Sequence, residues 1–371
     1  MKRRDFMKTA AATTATAGAI AGAGSFPAPA VAQEKRELKM VTTWPKNFPG
    51  LGTSAERLAK RITEMSEGTL TVRVFAAGEL VPALESIDAV ISGTADMSHS
   101  AAYYWQGKTK ALNFFTGVPY GFTASEISAW IRYMGGQELW DEVYDDFGVK
   151  PFMSGQTGVQ AGGWFRNELT SLDDLKGLKF RTPGLAGEVW RRLGVSVINL
   201  PGGEIYQALQ SGRIDAAEFV GPLTDLALGF YKVAQNYYWP SFNEPGLATE
   251  LAVNKSVYSS LTKGQQEIIR TASEAEYDNM YAEFNARNAD SLKTLTEEHG
   301  VKVHEFSREL LIAGGKAAAE VIEELRAEGD EKTKKVVESY LQARQKLVGW
   351  SKVADGAYLS ARLLPFDYAR P

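Results

Sequence analysis

The chain has 371 residues, of which 44% are hydrophobic and 23% are charged, so its length suggests about two domains. A formal net charge of −4 argues against a nucleic-acid-binding surface or an anionic-membrane surface. The sequence has no cysteine and three histidines, which excludes disulfide scaffolds, thiolate metal sites and cysteine nucleophiles.

The amino terminus has the pattern of an export signal. The run Lys2-Arg3-Arg4-Asp5-Phe6-Met7-Lys8 precedes a stretch of Ala, Thr and Gly that reaches about Gly24. This pattern is similar to a twin-arginine signal, and cleavage after Ala32 would leave Gln33 as the mature start. A membrane anchor is the alternative, but it needs about 20 strongly apolar residues. We therefore expect residues 1–32 to be a removed signal peptide and the protein to be periplasmic.

Strands alternate with helices in the first part of the mature chain. This alternation predicts parallel strands joined by right-handed crossovers, hence an α/β sheet with ligands at the carboxyl ends of its strands. A capping box formed by Thr53 and Glu56 is expected to start the first helix. The predicted strands are residues 38–43, 70–75 and a run from 96, and the predicted helices are 53–66 and 82–91.

The same alternation restarts later in the chain and predicts a second α/β unit. Extended segments at 149–154, 158–166 and 247–253 bracket this unit, with an amphipathic helix predicted at 126–144. Extended segments on both sides of the second unit would allow the chain to cross into a second lobe and to return. The second unit is predicted from strands at 178–181, 196–199 and 216–220 and from helices at 185–193 and 203–211.

These patterns predict a two-lobed α/β fold with a strand hinge. The first lobe is residues 33–155 plus 247–260, and the second lobe is residues 156–246. A helix capped at Thr262 and ending before Gly300 is long enough to span both lobes, so residues 261–300 are assigned to it. Residues 301–371 form a helical extension that packs on the body or pairs with a second copy.

Two stretches of the second unit carry a resemblance to a known family. Residues 171–184 (SLDDLKGLKFRTPG) and 208–218 (ALQSGRIDAAE) resemble the signature of the solute-binding proteins of TRAP (tripartite ATP-independent periplasmic) transporters. Residues 218–222 (EFVGP), 237–240 (YYWP) and 243–246 (NEPG) are similar to the branch that binds 2-oxo acids or lactate. The resemblance implies a periplasmic-binding-protein-like fold that binds a pyruvate-like or lactate-like acid with a metal cation for a membrane permease, without being an enzyme.

The resemblance places a carboxylate-binding arginine at Arg181. This residue ends a predicted strand just before Thr182-Pro183-Gly184. A planar guanidinium on a rigid base can hold a carboxylate through two parallel hydrogen bonds, which a lysine cannot do. On composition alone, a surface salt bridge is the favoured alternative.

Two glutamates are expected to hold the cation. Carboxylates that line a cleft for an acid would repel the ligand unless a cation lay between them, and Na⁺ or Ca²⁺ accepts carboxylate, amide and carbonyl oxygens. The resemblance implies as ligands Gln156, Glu218, the carbonyl of Phe219, and Glu244. Gln156 and Phe219 are also expected to contact the acid. Taken singly, an exposed strand-end carboxylate at Glu218 and a turn cap at Glu244 remain open alternatives.

Aromatic side chains of the first lobe are expected to close the cleft. Tyr104 is the first candidate for a hydroxyl that reaches the ligand, and Trp44 is the second. Phe219 lacks the indole N–H of the tryptophan expected in many relatives, so the pocket is expected to be roomier or less polar there. Tyr103, Trp105, Tyr120 and Phe122 are further aromatic candidates, with core packing as the alternative for each.

Two other functions remain as alternatives. An exported hydrolase lacks a Gly-x-Ser-x-Gly elbow and a His-Glu-x-x-His motif, although a glycosidase that uses Glu218 and Glu244 is formally possible. A receptor for an ATP-driven importer would share the fold and differ only in its membrane partner. The chain has no phosphate-binding glycine loop with a lysine, so we do not expect it to consume ATP itself.

Overall fold

The structure is a computed structural model that describes residues 35–366. The predicted signal peptide therefore lies outside the described residues. Within residues 35–366, no helix is both long and apolar enough to cross a membrane. The strands are β1 Arg36–Thr42, β2 Leu70–Phe75, β3 Met97–Ser100, β4 Val149–Gln156, β5 Gly163–Phe165, β6 Lys179–Arg181, β7 Ser196–Ile198, β8 Ala216–Ala217, β9 Asn236–Trp239, β10 Ala248–Asn254 and β11 Lys302–Glu305.

Helices cover most of the remaining chain. They are α1 Leu51–Met65, α2 Ser86–Ile91, α3 Ala124–Tyr133, α4 Gly136–Asp145, α5 Gly184–Arg192, α6 Gly202–Gln210, α7 Pro222–Leu228, α8 Lys255–Ser260, α9 Lys263–Lys293, α10 Arg308–Glu328, α11 Glu331–Val353 and α12 Asp355–Ala361. Short 3₁₀ turns at Ala102–Trp105 and Lys110–Phe115 contribute to the region around the candidate site.

The strands form two sheets, one in each lobe. The first sheet has the order β2-β1-β3-β10-β4, with β1 parallel to β2 and β3 and with β10 antiparallel to β3 and β4. The second sheet has the order β11-β9-β5-β8-β6-β7. The predicted two-lobed α/β fold is confirmed.

The chain passes between the lobes along β4 and β10. These strands pair antiparallel, and the register shifts between Thr249 and Glu250. β4 ends at Gln156, and the loop that follows bonds to second-lobe segments, since the N–H of Gln160 donates to the carbonyl of Glu244 and that of Ala161 to the carbonyl of Val220. The lobe boundaries and the role of β4 and β10 as a hinge stay predictions.

The long helix α9 links the lobes. Its 31 residues span about 46 Å at 1.5 Å per residue, and it packs against β4 and α1 of the first lobe and against α7 of the second. The predicted cap at Thr262 is confirmed, since its hydroxyl accepts a hydrogen bond from the backbone of Gln265 at 3.2 Å. A π-helical turn at Thr294–Glu298 extends the helix to the predicted end.

Local differences from the sequence predictions have backbone causes. The helix predicted at 126–144 is two helices, because Gly135 adopts a φ of +86° between them. The capping box at Thr53 is wrong: α1 begins at Leu51 after Gly50, whose φ is +74°. The strand predicted at 158–166 is shorter, and residues 157–162 form a loop beside the candidate site.

The carboxyl-terminal extension begins with a strand and continues as three helices. β11 joins the second sheet beside β9, which the helical pattern of this region did not predict. α10 packs on α5 of the second lobe, whereas α11 packs on α4 and the Lys110–Phe115 turn of the first lobe. α12 has no buried residue. The first two helices of the extension therefore pack on the body.

Candidate functional site

Arg181 lies at the carboxyl end of β6 with its side chain fully buried. Alternation along this strand directs Phe180 into the core and Arg181 to the opposite face. Its Nε donates to the carbonyl of Leu200 at 3.0 Å, and its Nη1 donates to the carbonyl of Glu218 at 2.6 Å. Nη2 has no hydrogen-bond partner among the described residues. Two backbone carbonyls thus fix the guanidinium and leave one nitrogen available.

Glu218 and Glu244 come from two segments and are both buried. Glu218 follows β8, and its Oε2 lies 3.7 Å from Arg181 Nη1. Glu244 lies between β9 and β10, where its backbone N–H donates to Ser241 Oγ at 3.1 Å. Glu218 Oε1 and Glu244 Oε2 have no hydrogen-bond partner in the part of the chain that the structure describes.

Burial disfavours the charged forms of both carboxyl groups. It raises the pKa of Glu218 well above its usual range, and the charge of Glu244 adds to that increase. Burial likewise raises the pKa of Glu244, to about 8, although the Arg181 charge opposes this shift. The single guanidinium therefore does not compensate two buried carboxylates.

The donor set fits a hard cation. Two carboxyl oxygens without partners, an amide and nearby backbone carbonyls are the oxygen ligands that Na⁺ and Ca²⁺ accept. Residues 35–366 contain no cluster of three or more His, Cys, Asp or Glu side chains suited to a metal ion. Additional ligands would have to come from neutral oxygens or from the bound acid, which disfavours transition metals.

Gln156 ends β4, and its side chain is fully buried beside the Glu244 segment. Its Oε1 accepts the N–H of Gly158 at 3.1 Å, and its Nε2 has no hydrogen-bond partner among residues 35–366. A Cβ at Gly246 would lie 3.3 Å from Gln156 Oε1, so this glycine allows the two segments to approach. The amide oxygen keeps a second lone pair for another partner.

The ring of Phe219 packs beneath Arg181. The guanidinium carbon lies 5.6 Å from the ring centroid, and the ring of Phe48 from the first lobe packs edge-on with centroids 6.0 Å apart. A Cβ at Gly202 would come within 2.5 Å of the Phe219 ring, so the start of α6 requires glycine there. Phe219 is thus held by contacts from both lobes.

Trp44 and Tyr104 form an aromatic wall from the first lobe. Their ring centroids are 6.3 Å apart, and Trp44 Nε1 donates to His99 Nδ1 at 2.9 Å. Burial lowers the pKa of His99 to about 3, so this histidine is neutral and can accept that bond. Burial raises the pKa of Tyr104, and the positive charge of Arg181 opposes this shift.

The structure brings to the site Tyr103, one of the further aromatic candidates, and Gln160, which no sequence motif indicates. Tyr103 stacks edge-on against Tyr104 at 4.8 Å, and the charges of Glu244 and Glu218 add to the rise in its pKa that burial causes. Gln160 lies in the loop after β4, and its Oε1 has no hydrogen-bond partner in the described chain. A lone glutamine in a loop carries no periodic signal, so only the fold brings it to the site.

Three of the aromatic candidates lie elsewhere. Trp105 Nε1 donates to the buried Glu250 at 2.8 Å. The Tyr120 hydroxyl donates to the carbonyl of Leu311, and Phe122 packs on Tyr340 with centroids 4.1 Å apart. The last two contacts are made with the carboxyl-terminal extension, so these rings serve core packing.

Comparison with known proteins identifies a family. Residues 40–328 match the family model described as bacterial extracellular solute-binding protein, family 7. A monocarboxylate 2-oxoacid-binding periplasmic protein of Nostoc sp. is 41% identical over 359 residues, which cover 96% of this chain and 98% of that protein.

Two solved structures are similar along nearly their whole length. A TRAP periplasmic solute-binding protein from Pseudoalteromonas atlantica, with bound sodium and pyruvate, is 41% identical with a TM-score of 0.85, covering 88% of this chain and 99% of that one. A TRAP transporter solute-binding protein from Bordetella bronchiseptica is 35% identical with a TM-score of 0.87, covering 89% and 97%. The latter is a mixed-occupancy dimer with calcium and picolinate in one active site.

Proposed function

The chain belongs to the bacterial extracellular solute-binding protein family 7, and we propose that it is the extracytoplasmic receptor of a TRAP transporter. It binds a small monocarboxylic 2-oxo or 2-hydroxy acid together with Na⁺ or Ca²⁺ and delivers the acid to the membrane permease. The Nostoc relative named for 2-oxoacid binding and the Pseudoalteromonas structure with sodium and pyruvate support this choice of ligand.

The proposal rests on one observation: the buried guanidinium of Arg181 and the buried carboxyl groups of Glu218 and Glu244 each have an atom without a hydrogen-bond partner among residues 35–366. Leaving buried polar atoms unpaired costs about 1–3 kcal/mol each, and more for charged groups. A carboxylate against Arg181 Nη2 and a cation against Glu218 Oε1 and Glu244 Oε2 would satisfy these atoms together. Neither ligand alone would satisfy all of these atoms, because the acid pairs with the guanidinium and the cation pairs with the carboxyl groups.

Each residue has a distinct part in holding the acid. Arg181 binds the carboxylate and sets its plane, because two backbone carbonyls already fix its own orientation. The cation would be held by Glu218, Glu244, Gln156 and the carbonyl of Phe219. When bound, the cation supplies positive charge to an oxygen at carbon two, which is why 2-oxo and 2-hydroxy acids are favoured. Trp44 and Tyr104 cover the acid from the first lobe.

Closure of the two lobes around the acid is the step that prepares the receptor to deliver it. Arg181 and Glu218 lie on the second lobe and Trp44 and Tyr104 on the first, so the acid contacts both lobes only when they are closed. A ligand can shift this equilibrium only by its preference for the closed form, and a micromolar affinity corresponds to about 8 kcal/mol in total. The permease then receives the closed receptor.

A thermal-shift screen tests the proposed function. Pyruvate and lactate should raise the melting temperature when Na⁺ or Ca²⁺ is present, and they should do so weakly in a chelated, sodium-free buffer. Glu218→Gln should remove the response to added cation. Release of a product from an offered acid or sugar, in place of stoichiometric unreacted binding, would contradict a receptor.

The carboxyl-terminal end of the extension supports a homodimer. Large apolar side chains beyond the middle of α11 are exposed, which is unusual for a monomer with a charged surface. The Bordetella relative is a dimer in its crystal structure. We assign this surface to a second copy of the chain. Its exposed residues are Trp350, Val353, Tyr358, Leu359, Leu363, Leu364 and Phe366.

A further inference from the structure

The amino-terminal end of α5 is buried without a cap. Gly184, Leu185 and Ala186 are buried, and Pro183 in the N-cap position offers no side-chain acceptor. No backbone or side-chain acceptor outside the helix engages their N–H groups among residues 35–366. The first N–H groups of a helix have no partner within it, and this end carries partial positive charge.

A polar side chain of the first lobe faces this helix end. Asn113 is fully buried, and its Nδ2 donates to the carbonyl of Lys110 at 2.9 Å, which fixes the orientation of the amide. Its Oδ1 has no hydrogen-bond partner in the described part of the chain. That oxygen lies 3.1 Å from the point where a Cβ on Gly184 would stand. An unpaired acceptor of the first lobe therefore lies beside Gly184, the first residue of this uncapped helix.

This junction borders the acid site. The Tyr103 ring lies 3.4 Å from the same point beside Gly184, and Tyr103 is close enough to Glu244 and Glu218 for their charges to act on its hydroxyl. Gly184 follows Arg181 by three positions, at the carboxyl end of β6. A group on a bound acid beyond carbon two can therefore reach the junction.

The chemistry of the two faces selects the group that fits. A carboxylate or ketone oxygen could accept from the helix N–H groups but would meet the lone pairs of Asn113 Oδ1. An ammonium group could donate to Asn113 but would meet the positive end of α5. A hydroxyl group both donates and accepts, so it alone of these groups satisfies both faces.

We propose that Asn113 and the start of α5 form a subsite for a ligand hydroxyl, so that the receptor prefers 2-oxo and 2-hydroxy acids with a further hydroxyl beyond carbon two. This inference rests on the proposed function, because it places the extra hydroxyl relative to an acid held by Arg181. It narrows the substrate class from simple acids such as pyruvate to hydroxylated ones.

Titration calorimetry with matched acids tests the subsite. The pairs are pyruvate with hydroxypyruvate and lactate with glycerate, in saturating Ca²⁺, since each pair differs by one hydroxyl. In the wild type the hydroxylated acid of each pair should bind at least about tenfold more tightly than the acid without the hydroxyl. The latter leaves Asn113 Oδ1 and the N–H groups at the start of α5 unpaired. Asn113→Leu should lose this preference and keep its affinity for pyruvate within about threefold, the scale of context effects.

Asn236→Leu is the matched control. Asn236 is also a buried asparagine, but it bonds to the carbonyls of Phe165 and Arg166 in the second sheet, so its loss should leave the hydroxyl preference intact. Equal binding of the two acids by the wild type would overturn the subsite and would indicate that water satisfies the junction. This comparison of the two acids in the wild type tests the subsite even if Asn113→Leu does not fold. Failure of all four acids to bind would instead overturn the proposed function, and the subsite with it.

Discussion

At the scale of single residues, Arg181 depends on backbone contacts that a motif cannot reveal. The residues 171–184 indicate which arginine to examine, but the bonds to the carbonyls of Leu200 and Glu218 come from distant segments. The same holds for Asn113 and Gln160, whose unpaired oxygens become noticeable only when burial and partners are known. The resemblance therefore identified the charged groups and Gln156, and the fold was needed to find Asn113 and Gln160.

Arg181→Lys should weaken pyruvate binding by about 100-fold or more. A lysine ammonium cannot reproduce the fixed planar donors, and breaking a buried hydrogen-bonded charge pair costs about 2–5 kcal/mol. Calorimetry with pyruvate in saturating Ca²⁺ measures the change. Arg166→Lys, at the exposed residue after β5, is the control and should bind normally. Unchanged affinity in Arg181→Lys would remove Arg181 from the site.

Glu250 should make stability depend on pH. Its carboxylate is buried and accepts bonds from Trp105 at 2.8 Å and from the Tyr144 hydroxyl at 2.5 Å. Burial raises the pKa of this carboxyl from its ordinary value of 4.5 to about 7. The folded state thus binds the proton more tightly than the unfolded state. This group's contribution to stability is complete below pH 4.5 and is lost as the pH rises to about 7.

Denaturant unfolding at pH 5 and pH 8 measures this contribution. A pKa that rises from 4.5 to about 7 on folding corresponds to about 3 kcal/mol. The wild type should therefore lose up to that amount of stability between the two pH values, relative to Glu250→Gln. Glutamine keeps an acceptor for Trp105 and has no titrating proton. Glu56→Gln, which removes an exposed carboxyl, should follow the wild type. Equal pH dependence in wild type and Glu250→Gln would contradict a carboxyl that titrates here.

At the scale of elements, alternation of strands and helices was sufficient to predict the α/β class and most segments. The predicted helix boundaries were wrong where a glycine with positive φ interrupts or precedes a helix. Gly135 divides a continuous amphipathic pattern into two helices, and α1 begins directly after Gly50, before the expected capping box. β11 was not predicted because this strand has only four residues, is largely exposed and lies between helices. Edge strands of this kind are defined by the neighbour they pair with, which sequence periodicity does not encode.

The start of α6 offers a test of how an element supports the site. A Cβ at Gly202 would meet the Phe219 ring at 2.5 Å, whereas a Cβ at Gly203 would meet only Pro45 Cγ at 3.9 Å. Gly202→Ala should therefore cost about 1–3 kcal/mol of stability through overpacking and should weaken acid binding by displacing Phe219.

Gly203→Ala is the matched variant at the next position. It should be neutral or should stabilise α6 by up to about 1 kcal/mol, since alanine loses less backbone entropy than glycine in a helix. Thermal melting and pyruvate titration of both variants provide the comparison. If Gly202→Ala matched Gly203→Ala in both measurements, Phe219 would not be held by this contact.

At the scale of the whole molecule, the extension contacts both lobes, and its end carries the surface that we assigned to a second copy. Light scattering coupled to size exclusion should give the mass of a dimer for the full chain at micromolar concentration. Replacing Leu363 and Leu364 by serine should shift the mass toward the monomer, because these side chains are 81% and 61% exposed. Replacing Leu80, which is also exposed but lies in the first lobe, should leave the mass unchanged. A monomeric wild type would contradict the dimer.

The central claim is that an acid and a cation bind as one unit between Arg181 and the two buried glutamates. The most direct measurement is a pair of reciprocal titrations, of pyruvate at fixed low and high Ca²⁺ and of Ca²⁺ at fixed low and high pyruvate. We predict that each ligand tightens the other by the same factor, at least about 100-fold, as linkage requires. Pyruvate affinity that is unchanged when all Ca²⁺ and Na⁺ are removed would contradict the claim.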